Sequence, residues 1–312
     1  MSKVASSQPL DESLKNFSPT DPKYKVSDKY LPDKESLWPY AADQCGWVMV
    51  HNALRGEIIQ FQETLAAIKA RRGTLKAWEV ECIQDVFIAH LYNMEEHHST
   101  EDNILSPEFM KRFHYPDKLT DDHEAIFAQL DIASDIVKSL KTGDDTITTI
   151  GSLSREFDIY KECIFPHFRE EETYGLPLSR AYFGPKEFQK IMSKGHEKNP
   201  PNPEAIGCFI HFNGVQSIRH FLKAEGIPYF LWYREVRRSY NKYVTETLVK
   251  VNALKAGVEP MYPKTSCFSC MSLSAVAEPV PFAPPYAASH DKSLGTQDGS
   301  STNGTVLSDE AA

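Results

Sequence analysis

Four histidines and two glutamates in the central part of the chain are residue types that bind metal ions. They are His51, His97, Glu101, His123, His167 and Glu171. Two His-Glu pairs within this set are four residues apart, which in a helix places both members on one face, about 6 Å apart along the axis at ~1.5 Å per residue. Imidazole and carboxylate together favour iron or manganese over thiolate-preferring metals, with zinc as an alternative. The set therefore predicts a metal centre.

The same set is large enough for two metal ions, with Glu101 and Glu171 bridging them. Burying ionised glutamates among apolar side chains costs several kcal/mol per charge unless cations compensate. Six protein ligands do not fill two octahedra, so open positions would remain for water, oxo or dioxygen. A hydrogen-bonded core histidine is the competing interpretation for any one imidazole, and the joint arrangement favours metal.

The spacing of apolar residues predicts the elements that must position these ligands. Between Ala41 and about Phe183, apolar residues recur at alternating steps of three and four in four blocks, as on the buried faces of helices. His51 and His123 lie near the starts of the first and third faces, and the His-Glu pairs lie near the ends of the second and fourth. In an up-down-up-down bundle, the start of one helix meets the end of the next. All six side chains should therefore converge at one end of the bundle.

The rest of the chain divides around this bundle. Residues 1–40 are polar and punctuated by proline, which predicts an extended N-terminal arm, and residues 41–183 form the bundle. Residues 184–256 predict accessory helices that pack on it. Residues 257–312 turn to Pro, Ser, Gly and Ala and predict a disordered tail. Because no long run alternates with period two, the predicted fold class is all-α.

Composition restricts the partners and the compartment. The net charge of −9 without a Lys/Arg cluster argues against nucleic acid and anionic membranes. The chain has neither a signal-peptide run nor a segment of transmembrane length, so a cytoplasmic protein is predicted. The scattered cysteines indicate reduced thiols. One C-x-x-C pair, Cys267 and Cys270, lies in the predicted tail without a second pair, and we interpret it as accidental rather than as a zinc or redox site.

Several neighbouring residues receive lesser roles. His98 is expected at the edge of the site, because its neighbour His97 has the better spacing to Glu101, and His90 is expected as a core or supporting histidine. Pro166 predicts a kink in the fourth helix. Three acidic residues are expected on solvated faces, with the last of them as a substitute for Glu171 if the helix is irregular: Asp102, Glu170 and Glu172.

Four runs in chain order resemble the hemerythrin-like (HHE) cation-binding domain: residues 51–55 (HNALR), 97–102 (HHSTED), 122–124 (DHE) and 167–172 (HFREEE). The resemblance covers roughly residues 41–183. It implies a non-haem di-iron centre in a four-helix bundle. The six candidate residues match the family's ligand positions, and Glu101 and Glu171 match its bridging carboxylates.

The resemblance departs from the oxygen-carrying hemerythrins at two positions. Those proteins have a second third-helix histidine where this chain has Phe127, and a bridging aspartate where it has Glu172. The set is closer to the iron- and oxygen-sensing branch, such as the hemerythrin-like domain of the F-box ubiquitin-ligase subunit, although no F-box or leucine-rich repeats are visible. The implied function is binding of iron and of dioxygen or a related small ligand, in sensing, storage or oxygen handling.

Two other functions compete with this interpretation. The first is a di-iron oxidase or peroxidase-like enzyme, with Tyr160 and Tyr174 as redox neighbours, although no substrate-binding element is visible beyond the bundle. The second is a helical interaction module with a structural metal. A non-enzymatic role is favoured, and the sequence indicates no particular protein partner.

Overall fold

The computed structural model describes residues 17–198, 202–228, 230 and 236–262 of the 312-residue chain. Four long helices organise it: α1 (Gly46–Ala70), α2 (Ala77–Thr100), α3 (Lys118–Ser139) and α4 (Thr148–Glu170). Within those ranges no β-strand forms, and only two isolated bridges occur. The all-α prediction is confirmed.

The four helices pack as a ring. Helix α1 lies against α2 and α4, and α3 lies against the same two helices. The connections at residues 71–76 and 140–147 are short and hydrogen-bonded to each other, with the Leu75 amide donating to the Asp144 carbonyl at 2.9 Å. Gly73 and Gly143 turn these loops with φ of +149° and +94°, a region that favours glycine. The two loops therefore close the end of the bundle away from the candidate ligands.

The predicted apolar faces form the bundle core. Ile58, Phe87, Leu130 and Phe157, one from each helix, are at most 1% exposed. Burying a side chain of this size stabilises the fold by about 1.5–3 kcal/mol relative to exposing it. Helix α4 continues through Pro166. Its buried face keeps its register on both sides of the proline, so the predicted irregularity does not displace the ligands.

Helices α2 and α4 both continue past their ends through a π-helical turn. After α2 come the π turn Glu101–Leu105 and the short helical turn Ser106–Phe109. After α4 come the π turn Glu171–Gly175 and the segment Leu176–Tyr182. Each π turn begins at one of the two candidate glutamates.

Residues 17–45 contain three short 3-10 turns and lie against the extension of α4. The Trp38 indole donates hydrogen bonds to the carbonyls of Arg180 and Phe183. The buried Arg180 guanidinium forms an ion pair with Glu35 at 2.9 Å. This segment of the predicted arm is thus hydrogen-bonded to the same end of the bundle as the candidate ligands.

Shorter helices follow the bundle: α5 (Pro185–Lys198), α6 (Pro203–Asn213), α7 (Val215–Ala224) and α8 (Arg237–Tyr243), the last continuing through a π turn (Val244–Leu248) into Val249–Ala256. Helix α6 lies against α1, and Val251 and Leu254 join the bundle core. The sequence has an aromatic-rich run at residues 229–233 (YFLWY), of which only Phe230 is described, and it is exposed. The predicted disorder beyond residue 262 and the pair Cys267 and Cys270 lie outside the described residues.

The accessory helices approach each other closely at Gly207. A Cβ built there would lie 2.8 Å from the backbone oxygen of Ser239 and 2.3 Å from the Cβ of Tyr243. Neither atom is the far end of a flexible side chain, so the helices would have to separate. Gly151 in α4 is the opposite case, because a Cβ there meets nothing closer than the Lys69 Cδ at 3.9 Å.

These two glycines give a matched test of the packing. We expect Gly207→Ala to lower the free energy of unfolding by about 1–3 kcal/mol through overpacking. Gly151→Ala should raise it by roughly 0.5–1 kcal/mol, because alanine is the better helix former and the site has room. Urea unfolding followed by circular dichroism measures both changes. Equal effects of the two substitutions would contradict the close approach of α6 and α8.

Candidate metal centre

Seven buried side chains from all four bundle helices converge in two groups that share Glu101. The first group is His51, His97, Glu101 and Glu171; the second is His98, Glu101, His123 and His167. In each group the potential ligand atoms all lie within 4.8 Å of one another. Each of the seven residues is at most 9% exposed. The structure thus brings together the six residues singled out from sequence and adds His98.

The two glutamates lie between the two groups of imidazoles. Glu101 places Oε1 3.3 Å from the His97 Nε2 and Oε2 3.7 Å from the His123 Nε2. Glu171 places Oε2 3.2 Å from the His51 Nε2 and Oε1 3.5 Å from the His167 Nε2. Each carboxylate therefore directs one oxygen to each group, which is how a carboxylate bridges two metal ions.

The residue after each glutamate supports a ligand on a neighbouring helix. Asp102 lies 2.9 Å from the His123 Nδ1, and Glu172 lies 2.9 Å from the His51 Nδ1. A carboxylate accepts the proton of Nδ1, which leaves the Nε2 lone pair directed at the centre. In each π turn, the first residue thus directs its carboxylate oxygens at the two imidazole groups, and the second accepts a hydrogen bond from a histidine on a neighbouring helix. Such π turns occur frequently at functional sites.

Glu172 is itself tightly held. The buried Arg55 guanidinium donates to both of its oxygens, at 2.7 and 3.0 Å. The expectation that Glu170 and Glu172 lie on solvated faces is wrong, because Glu170 is 8% exposed and binds Lys118, and the Glu172 side chain is 23% exposed. Asp102 has a side chain that is 43% exposed, so only in its case is the solvated position partly right.

Many polar atoms at the centre have no hydrogen-bond partner among the described residues: His51 Nε2, His97 Nε2, both ring nitrogens of His98, Glu101 Oε2 and both oxygens of Glu171. A buried polar group left unpaired costs about 1–3 kcal/mol, and more when charged. The Nε2 atoms of His123 and His167 lie 3.2 Å apart, within hydrogen-bond distance, so one of them can donate to the other. Metal cations would satisfy all these lone pairs, so the donor set fits a metal centre.

The pKa values in the cluster also indicate that the buried carboxylates lack positive charge around them. Burial opposes a proton on His51, but the carboxylates of Glu101, Glu171 and Glu172 around its ring outweigh burial and raise its pKa to about 10. Burial lowers the pKa of His97 to about 3. Burial and the charge of Glu101 raise the pKa of Glu171. Because cations would replace the protons that the carboxylates otherwise hold at this centre, metal binding should release protons and weaken as pH falls.

His98 is the ligand candidate that sequence reasoning placed at the edge of the site. It is 1% exposed, and its ring centroid lies 4.2 Å from that of His123 and 5.2 Å from that of Phe127. The available signal was its spacing of three residues to Glu101, which also shares a helix face. His97 and His98 are adjacent, and each belongs to a different group.

Two residues considered from sequence take no direct part in the centre. His90 lies outside both groups and is hydrogen-bonded to Glu57 and Tyr160. Tyr174 makes an edge contact with Phe17 at 5.0 Å between ring centroids. Placing His90 in the core rather than among the ligands agrees with this geometry.

Comparisons of the chain with protein-family models, with curated proteins and with solved structures found no match. Across the described ranges, no helix is both long and apolar enough to cross a membrane. The cysteines described there, Cys45, Cys82, Cys163 and Cys208, are free thiols. What the structure establishes is therefore an all-helical protein with buried His/Glu groups that could hold metal ions.

Removing the charge of Glu172 tests whether this carboxylate supports metal binding by the first group of side chains. Glu172→Gln keeps the size of the side chain but leaves the Arg55 charge uncompensated beside His51, which disfavours a cation. We expect metal affinity to fall roughly 10- to 100-fold, the usual effect of losing a partner that orients a ligand. Glu162→Gln, at an exposed position of the same helix, is the control. Metal titration monitored by competition with a chelator measures both, and unchanged affinity in Glu172→Gln would contradict this role.

Proposed function

We propose that this chain is a hemerythrin-like protein that holds a non-haem di-iron centre and binds dioxygen or a related small ligand. Its role would be sensing, storage or oxygen handling. The supporting observation is that two buried carboxylates, Glu101 and Glu171, each direct one oxygen to each of two imidazole groups. Manganese and zinc are the alternative metals, because the same oxygen and nitrogen ligands suit them.

In this proposal the two ions would have different numbers of protein ligands. His51, His97 and one oxygen from each glutamate give the first ion four ligands. His98, His123 and His167, with the other two carboxylate oxygens, give the second ion five. Octahedral ions would keep more open positions at the first ion than at the second. The first ion is therefore the proposed place where a small ligand binds.

The surroundings of the first ion suit a small apolar ligand. Phe168 stacks on His51 with ring centroids 4.4 Å apart, and the Trp47 indole donates to the Glu101 Oε1 at 2.8 Å. Both aromatic residues are at most 8% exposed. They exclude water and hold their ligand side chains in position. When bound, iron would supply the electrons needed for redox chemistry with dioxygen.

A di-iron oxidase or peroxidase-like enzyme is the second candidate. The observation that favours it is a hydrogen bond between Tyr160 and His90 close to the centre, which a redox enzyme could use. Steady consumption of oxygen or peroxide with a reductant would distinguish turnover from stoichiometric binding.

Metal content tests the leading proposal directly. Protein purified under iron-replete, aerobic conditions should contain about two iron ions per chain, one for each group. Mass spectrometry of the metal content measures this, and near-ultraviolet absorption separates a di-ferric centre from silent zinc. Fewer than one metal ion per chain would contradict the di-iron centre.

His98 provides a finer test of the second ion. We expect His98→Phe to weaken the binding of the second ion and to leave the binding of the first unchanged, because phenylalanine keeps the ring packing on His123 and Phe127 but removes both nitrogens. His220→Phe, at an exposed position of α7, is the matched control and should retain both ions. Metal titration by competition with a chelator measures both affinities, and an unchanged affinity for the second ion in His98→Phe would show that His98 is not a ligand.

A further inference from the structure

A second buried polar cluster lies deeper in the bundle, below the candidate metal centre. Tyr160 from α4, His90 and Asn93 from α2 and Glu57 from α1 are each at most 8% exposed. Tyr160 and His90 precede His167 and His97 by seven residues each. Two helical turns at ~1.5 Å per residue put this cluster about 10 Å from the centre along the bundle.

The hydrogen bonds of this cluster fix the position of each proton. Glu57 accepts from the Asn93 amide through Oε1 at 2.9 Å, and its Oε2 lies 3.0 Å from the His90 Nδ1. Because a carboxylate only accepts, Nδ1 carries the proton and Nε2 has a free lone pair. The Tyr160 hydroxyl, 3.1 Å from that Nε2, therefore donates to it.

This geometry matters for the redox chemistry of the phenol. Burial raises the pKa of Tyr160 well above its usual range, so the hydroxyl does not ionise by itself. Removing an electron makes a phenol strongly acidic, and oxidation becomes feasible only if the proton has somewhere to go. His90 provides an acceptor in direct contact, and the Glu57 carboxylate stabilises the imidazolium that would result.

We propose that Tyr160 is a proton-coupled redox residue that serves the metal centre, with His90 as its proton acceptor; this rests on the proposed function. Tyr160 gives one electron to an oxidised metal ion, which is reduced by one electron. The phenolic O–H bond breaks and its proton moves to the His90 Nε2. The products are a neutral phenoxyl radical and an imidazolium that donates to Glu57. Return of one electron and the same proton restores the starting state.

Tyr182 shows why the acceptor is the deciding feature. It is 1% exposed, and its hydroxyl has no hydrogen-bond partner among the residues described. Burial raises its pKa as well. Tyr182 thus has the burial of Tyr160 without the imidazole, which makes Tyr182→Phe the matched control for Tyr160→Phe.

The test oxidises the full-length protein in two ways. In the first, zinc-loaded protein receives a flash-generated ruthenium(III) polypyridyl oxidant, which needs no redox-active metal in the protein. In the second, iron-loaded reduced protein receives dioxygen. Electron paramagnetic resonance and transient absorption detect the phenoxyl radical, and circular dichroism verifies that each variant is folded.

We expect a long-lived radical in both arms that is lost in Tyr160→Phe and retained in Tyr182→Phe. His90→Phe should slow its formation roughly tenfold to a hundredfold, equivalent to about 1.4–2.7 kcal/mol of barrier. A purely structural hydrogen bond would change stability but not the radical. A radical that persists in Tyr160→Phe, or its absence from both arms, would overturn the proposal. A radical with the external oxidant alone would retain the Tyr160–His90 pair and overturn its link to a redox metal.

Discussion

Two glutamate carboxylates lie almost fully buried inside a helical bundle, and much of the structure follows from the need to compensate them. Glu101 and Glu171 are 2% and 1% exposed. The cost of burying a carboxylate is several kcal/mol even after relaxation of its surroundings. One Trp47 hydrogen bond to Glu101 does not offset two such charges, and Glu171 has no hydrogen-bond partner among the described residues. Protons on the surrounding imidazoles are not sufficient to neutralise both carboxylates. The imidazole nitrogens can instead bind metal ions, so metal cations are the physically consistent compensation for the buried negative charge.

The bundle meets this need twice with one local design. At the ends of α2 and α4, a histidine, a glutamate one turn later and a second acidic residue run into a π turn. In both copies the glutamate lies between the two groups, and the second acid accepts a hydrogen bond from Nδ1 of a histidine near the start of a neighbouring helix. The halves of the bundle thus supply equivalent parts, and the centre lies where they meet.

Sequence periodicity predicted this convergence because the ligands share faces with core residues. The seven-residue rows that bury Phe87 and Phe157 also carry the candidate ligands, so chain direction alone determined which ends must meet. The π turns were not predicted, because an extra residue in a helix shifts only the positions that follow it, and each turn begins at the last candidate ligand of its helix. Glu172, which we expected in solvent, instead lies against His51 and Arg55. The six ligand assignments remain a prediction, which the observed geometry supports.

A single exchange between the two halves makes the centre asymmetric. His98 and Phe168 occupy equivalent positions, each directly after the histidine that precedes a glutamate. Phe168 stacks on His51, whereas His98 lies against His123 and carries nitrogens that no described residue satisfies. If two ions bind as proposed, the His98 imidazole would give one of them a fifth protein ligand and leave the other with four.

The contrast between the two polar layers of the bundle supports cations in the upper one. In the deeper layer, Tyr160, His90 and both oxygens of Glu57 have hydrogen-bond partners, and the Oδ1 of Asn93 is the exception among the described atoms. That layer is complete with protons alone. In the upper layer, the same residue types on the same helix faces leave several ring nitrogens and carboxylate oxygens without a hydrogen-bond partner among the described residues. Because a helical bundle can satisfy buried histidine and glutamate without metal, the upper layer's failure to do so is the stronger reason to assign it metal ions.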